Sequence, residues 1–302
     1  MKKNNIFYAC AAAALVFASC QKEAPAPEMP QAEGMNVITA TTLSTKTTTQ
    51  DGVNVLWENG DQISLFALVP TADPAKPSAN FATYTTTLES PSATASFVKN
   101  EDNIEPTQSN GKYIAFYTKG AANVTKSRNL NSVYAIDKEQ VAKNGGDFAS
   151  SIMYGTSETS EFQFSHIVSY VKFTVDQNTT PFNKLTVSSA DESQYIVTRI
   201  QVDFASDPTV TLLPTNPSNG NVYSQSNKTV SLTTDDAANF APGTYYMAIN
   251  ADTYAQGLNL TFSNGTADYT ITTPTNVEMK AGAVANLGTI GTLEFPEPPV
   301  TP

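Results

Sequence analysis

The chain has 302 residues, 15% of them charged, and a formal net charge of −11. An acidic surface of that size repels phosphate backbones and anionic headgroups, which argues against binding of nucleic acid or anionic lipid. With two cysteines and a single histidine, little remains for thiol, zinc or Ser-His-Asp chemistry.

The first twenty residues read as a lipoprotein signal peptide. Lys2 and Lys3 form a positive start, Ile6 to Phe17 an apolar stretch too short to span a bilayer, and Ala18-Ser19 place small residues directly before Cys20. Lipidation is expected on the Cys20 sulfur, followed by display at the cell surface on the outer membrane. Acyl chains such as palmitate contribute about 0.8 kcal/mol per buried CH₂, so two or three of them hold a protein durably. Cys10 leaves with the signal and Cys20 is consumed by lipid, so no thiol remains for catalysis, disulfides or metal. Loss of Lys2 and Lys3 moves the net charge from −11 to −13. Residues 21–34 carry Pro25, Pro27 and Pro30 and almost nothing apolar, the composition of a tether. Extended at about 3.1 Å per residue, it reaches roughly 40 Å from the lipid.

From Met35 onward the apolar residues repeat every two positions, and Thr, Val, Ile, Tyr and Phe are abundant. This is the signature of an all-β protein. Trp57 runs into a Gly60-Asp61 turn with Ile63 and Leu65 alternating behind it. Further alternating sets are Tyr113, Ala115 and Tyr117, then Val171, Phe173 and Val175, then Ile200, Val202 and Phe204. Near the C-terminus Tyr245, Met247 and Ile249 alternate, followed by Leu258, Leu260 and Phe262. Asn264-Gly265 then predicts a type I′ hairpin returning as a strand over Tyr269 to Thr273. Pro-rich or Asn/Gly-rich breaks separate these units at 70–77, 109–111, 144–146 and 214–220. No stretch sustains a helical apolar stripe for three turns. Length suggests two domains, although one large sandwich is also permitted.

Several of these segments resemble, in matching order, the motifs of Bacteroides-type fimbrillin family lipoproteins. Trp57-Glu58-Asn59-Gly60-Asp61-Gln62-Ile63-Ser64-Leu65-Phe66 resembles the signature near the start of such proteins. Gly111 to Tyr117, Phe162 to Phe173, Gly243 to Ile249 and Lys280 to Gly288 resemble later passages, so the likeness covers nearly the whole mature chain. The resemblance implies two tandem transthyretin-like antiparallel β-sandwich domains, over 35–166 and 167–295, before a Pro-rich tail over 296–302. It also implies a structural, tip or anchor subunit of fimbriae (pili) that mediates cell adhesion. The partners it implies are other fimbrial subunits joined by donor-strand exchange, the outer membrane through the lipid, and host or bacterial surface ligands.

In that framework the candidate released strand is Met35 to Leu43, with Val37 and Ile38 the apolar residues singled out within it. Lys46, the one basic residue between the tether and Trp57, is the candidate site of proteolytic processing. Leu287, Ile290, Leu293 and Phe295 mark the candidate donor strand; the alternative is a final strand of the chain's own fold. Pro296, Pro298, Pro299 and Pro302 follow and stop any ladder.

Enzymatic chemistry finds little support. His166 lies in phase with Phe162 and Phe164, as a packed residue would, and no nucleophile elbow accompanies it. The pairs Asp191-Glu192 and Asp235-Asp236 read as solvated loops, the second opening a short helical turn. Gly145-Gly146 lacks the partners of a phosphate loop, and no calcium-loop pattern occurs. No catalytic residue, metal or cofactor is expected. The competing role is a monomeric glycan-binding lipoprotein serving polysaccharide uptake, with Tyr84, Tyr134, Tyr223 and Tyr254 stacking on sugars.

Overall fold

The computed structural model describes residues 35–42, 55–68, 81–101, 112–125, 131–203 and 208–297. In the first half the strands are β1 (Val37–Thr42), β2 (Gln62–Leu68), β3 (Phe81–Thr86), β4 (Thr94–Lys99), β5 (Lys112–Lys119), β6 (Ala121–Thr125), β7 (Asn131–Ile136), β8 (Glu139–Ala142), β9 (Ser151–Ser157) and β10 (Glu161–His166). The second half adds β11 (Ser169–Val175), β12 (Lys184–Ser189), β13 (Arg199–Asp203), β14 (Thr209–Leu213), β15 (Thr229–Thr234), β16 (Gly243–Ile249), β17 (Thr253–Tyr254), β18 (Leu258–Ser263), β19 (Asp268–Thr272), β20 (Val277–Glu278) and β21 (Val284–Thr289). The protein is all-β, and there is no helix among the described residues.

Period-two patterning decides which face each strand buries. In β1, β3, β10, β12, β15 and β18 every second residue is buried and its neighbours are more exposed, so each strand contributes one apolar face to a core. The first-half sheet closes on itself in the order β1-β10-β9-β5-β2-β3-β4. The second half holds a three-stranded sheet β16-β11-β21, a five-stranded sheet β19-β18-β12-β15-β8, a four-stranded sheet β14-β13-β7-β6 and a ribbon β17-β20. Most pairs are antiparallel, as expected, but β1·β10, β11·β21 and β8·β15 run parallel. Alternation reads the same in either direction, so the pattern alone cannot set strand polarity.

The Asn264-Gly265 hairpin forms with a wider loop than predicted. Ser263 pairs with Asp268, leaving four residues between the strands, and of the two predicted turn residues only Gly265 has positive φ. Asn264 Oδ1 accepts from Thr266 N, Thr266 Oγ1 and Ala267 N at 2.9, 2.8 and 2.9 Å. An Asx-type cap stabilises this loop where the type I′ turn was expected.

Trp57 organises the interior of the closed sheet. It is fully buried and meets Phe97, Tyr117 and Phe164 edge-on, with ring centroids 5.1, 5.0 and 5.2 Å away. These partners come from β4, β5 and β10, so one indole ties three staves together. Its Nε1–H donates to the Ala40 carbonyl of β1 at 3.0 Å. The following turn is held by Asp61, which accepts Glu58 N–H at 2.8 Å and the Tyr117 hydroxyl at 3.0 Å. Burial raises the carboxyl pKa of Asp61 and pushes the Tyr117 hydroxyl above its ordinary range.

The two halves share strands. After β5 the chain leaves the closed sheet, adds β7 to β13 and β8 to β15 in the second half, and returns as β9 beside β5. A boundary at 166/167 therefore falls between β10 and β11 while 121–142 lies in second-half sheets. Gly120 marks the exit: φ is +54°, and a Cβ there would sit 2.2 Å from the Ala149 carbonyl oxygen, which only glycine avoids. Buried Gln140 donates from Nε2 to Ala248 O at 2.7 Å and accepts from Ala248 N at 2.9 Å, so its amide serves β16 as a strand backbone would. Phe148 stacks on Tyr246 at 3.9 Å. Nearby, the Tyr170 hydroxyl of β11 meets Ser151 Oγ and His166 Nδ1, each at 2.9 Å.

Two outcomes are expected in urea denaturation. Trp57→Ala should cost about 3–5 kcal/mol through the cavity it leaves, and Trp57→Phe about 1–2 kcal/mol, since most ring contacts survive but the bond to β1 does not; a Trp57→Phe loss near zero would show that the indole N–H contributes nothing. Burial lowers the His166 pKa from 6.5 to about 4, so the unfolded chain takes up the proton first as pH falls. The associated stability is complete above about pH 6.5 and declines toward pH 4, by about 3 kcal/mol in all. His166→Gln should flatten that decline, and an unchanged slope would assign it to other groups.

Candidate functional site

The first strand is bound along both edges. β1 pairs antiparallel with β4 from Val37↔Val98 to Thr41↔Thr94, and parallel with β10 from Thr39↔Glu161 to Thr42↔Phe164. Thr39 N donates to Ser160 O at 2.8 Å, Thr42 N to Ala93 O at 2.9 Å, and Lys99 N to Asn36 O at 2.9 Å. Five of its six residues are β-branched, which suits an extended chain between two neighbours. Removing β1 would open a slot lined by two unpaired strand edges, a ready receptor for another extended segment.

Inside the slot the side chains are small. Ile38 and Ala40 are fully buried and Thr42 nearly so. Of the two residues singled out from the sequence, Ile38 is an anchor, whereas Val37 is 49% exposed on the outer face opposite Val98, itself 55% exposed. Two buried aromatics reach the backbone of this segment from below. Trp57 Nε1 bonds to the Ala40 carbonyl, and the Tyr84 hydroxyl donates to the Met35 carbonyl. Neither contact was foreseen; the sequence signal was an alanine in phase with Ile38 in a strand otherwise of β-branched residues.

At the other end, the candidate donor strand is integrated into its own fold. β21, which contains Leu287, pairs with β11. Ile290 N donates to Thr174 O at 2.8 Å and Leu293 N to Thr180 Oγ1 at 2.9 Å. Ile290 and Leu293 are buried, and Leu287 and Phe295 pack half-buried against the core. Cys20, Lys46 and Phe204 lie outside the described residues.

The remaining sequence candidates fall into structural roles. His166 is buried, bonded through Nδ1 to Tyr170 and held neutral by burial at ordinary pH. Asp235 and Asp236 sit in an exposed turn, not a helical one, because Ala237 takes φ of 55°. They bind Asn144, whose N–H donates to Asp235 Oδ1 at 3.0 Å and whose Nδ2 donates to Asp236. Asp191 caps its own loop through Ser193, which lowers its pKa. Gly145-Gly146 packs against the backbone of Gly243 and Thr244. Of the sugar-stacking candidates, Tyr84, Tyr134 and Tyr254 are buried, and Tyr223 carries the Arg199 guanidinium 4.1 Å above its ring. Among the described residues no cluster of three or more His, Cys, Asp or Glu could hold a metal ion, and no helix is long and apolar enough to cross a membrane.

No protein-family model matches the chain, and no curated protein sequence matches it. Among solved structures it is similar to a candidate cell adhesion protein of Bacteroides ovatus, with 12% identity over 86% of this chain and 95% of that one and a TM-score of 0.46. A second candidate cell adhesion protein, from Bacteroides uniformis, is 14% identical over 86% and 95% of the two chains with a TM-score of 0.43. A fimbrial assembly protein from Parabacteroides distasonis is 12% identical over 86% and 93%, with a TM-score of 0.33.

Proposed function

We propose that this chain is a fimbrillin-like surface subunit, anchored through lipid on Cys20, that assembles with other subunits by strand exchange and thereby serves cell adhesion. The observation that carries the reading is β1 itself: the first strand of the described residues, held between β4 and β10, whose departure leaves two strand edges facing one slot. Burial of one Ile contributes about 1.5–3 kcal/mol, and each net backbone bond about 1 kcal/mol. Most of the hold on β1 therefore comes from its two ladders. Any strand that reproduces those ladders competes with it. Cleavage after β1, for which Lys46 is the candidate, would remove the covalent advantage of the resident strand and let an incoming one win. Burial of Tyr84, Tyr134 and Tyr254 takes away most of the aromatic platform that a glycan-binding role would need.

A disulfide across the slot tests this reading. Val37 and Val98 face each other directly on adjacent antiparallel strands and are both exposed, and such pairs lie about 4.5–5.5 Å apart at Cα, within disulfide reach. In the mature chain, whose own cysteine is lipidated, Val37→Cys with Val98→Cys should lock β1 in place under oxidising conditions. The oxidised protein is expected to stay monomeric on a denaturing gel run without reductant. Prior reduction should restore the assembly ladders of the unmodified protein. Assembly that proceeds with the disulfide closed would refute release of β1 as its first step.

A further inference from the structure

The slot does more than pair with any extended chain. Trp57, ahead of β2, and Tyr84, in β3, donate to carbonyls five residues apart on one segment, Ala40 within β1 and Met35 just before it. A ladder alone permits a strand to slide by two residues and regain its backbone bonds with the same face inward. Two fixed side-chain donors add contacts that only one register satisfies together. The donor at Ala40 also limits what can lie above it. Nε1 lies 3.0 Å from its carbonyl, Phe97 and Phe164 abut the same indole, and Ala40 is flanked in the ladders by the buried Ala95 and Phe162. Ala40 is fully buried. A larger side chain has no room there without displacing the ring that joins three staves.

We propose that Trp57 and Tyr84 make this slot selective. It accepts an extended segment that carries a bulky aliphatic residue, then an alanine-sized residue two positions on, then a small hydroxyl residue two further on, in one register. The segment that fits is the sequence of β1, Ile38-x-Ala40-x-Thr42, so the occupant we assign is that strand of a second copy of this chain, one not cut after β1. The chain's own C-terminal candidate does not repeat the pattern: Leu287-x-Thr289-x-Gly291 and Ile290-x-Thr292-x-Glu294 place a threonine where β1 has Ala40, and Gly291-x-Leu293-x-Phe295 places a leucine there. This inference rests on the reading of β1 as an exchangeable strand.

The test uses the full chain carrying Ala40→Leu, which weakens its own β1, and two fluorescein-labelled peptides of residues 35–43, one native and one with leucine at position 40. The variant chain is expected to capture the native peptide at least tenfold more tightly than the leucine peptide. Trp57, the single tryptophan, should report capture by a blue shift as the slot refills. Should Ala40→Leu fail to fold, Ala40→Gly, which loosens β1 without crowding, receives the same peptides. Equal affinity for both peptides would overturn the selectivity and leave strand exchange standing. A folded variant that captures neither peptide would overturn both. Thr39→Leu in the chain, at a half-exposed outward position next to Ala40, should leave the thermal midpoint within a degree or so while Ala40→Leu lowers it; equal drops would also refute the crowding at Trp57.

Discussion

A closed sheet has no free edge, and in the first half the closure depends on β1 being present between β4 and β10. Take that strand away and two rows of backbone donors and acceptors lose their partners, together with the indole of Trp57 and the hydroxyl of Tyr84 as they point toward it. Unsatisfied buried polar groups cost about 1–3 kcal/mol each. An empty slot is therefore a far worse state than a filled one, whichever chain fills it. The physics favours replacement, in which one strand enters as the other leaves, over a vacancy that waits for a partner.

The second half cannot respond independently. β7 and β8 belong in sequence to the first half and in hydrogen bonding to the second, and the excursion that carries them starts and ends at contacting points, Gly120 and Ala149. Separating the halves would break the β7·β13 and β8·β15 ladders, the paired bonds of Gln140 to Ala248, and the Phe148–Tyr246 stack at once. Such coupled contacts open together or not at all. No hinge is therefore left at 166/167 for the halves to swing about.

The all-β class and most strand positions were legible because alternation encodes which face is buried, and Trp57, Phe162, Phe164 and Phe173 are buried in that phase. Strand polarity was not legible, for alternation is indifferent to direction, and neither was the crossing of 121–142 into the other half. That crossing rests on Gln140, a polar residue whose partner Ala248 is 108 positions away. Tyr84 shows the limit from another side: a tyrosine in a strand reads equally well as a sugar platform or as a core residue, and only its hydroxyl's partner on Met35 decides. Val37 and Ile38 are adjacent and alike in size, so composition ranks them together, yet the pleat sends one out and the other in.

Direction follows from the same contacts. β1 is parallel to β10 and antiparallel to β4, and the two ladder types space their bonds differently. A strand laid into the slot the other way round would become antiparallel to β10 and parallel to β4, and its carbonyls would no longer fall opposite the donors that now meet Met35 and Ala40. Whatever replaces β1 with its full set of bonds must therefore run as β1 runs, entering beside Tyr84 and leaving past Ala93. In a second copy every other strand follows β1 in sequence, so a copy that lent its β1 to this slot would have its body at the Ala93 end, and exchange of that kind would have a fixed polarity before any loop or ligand is considered.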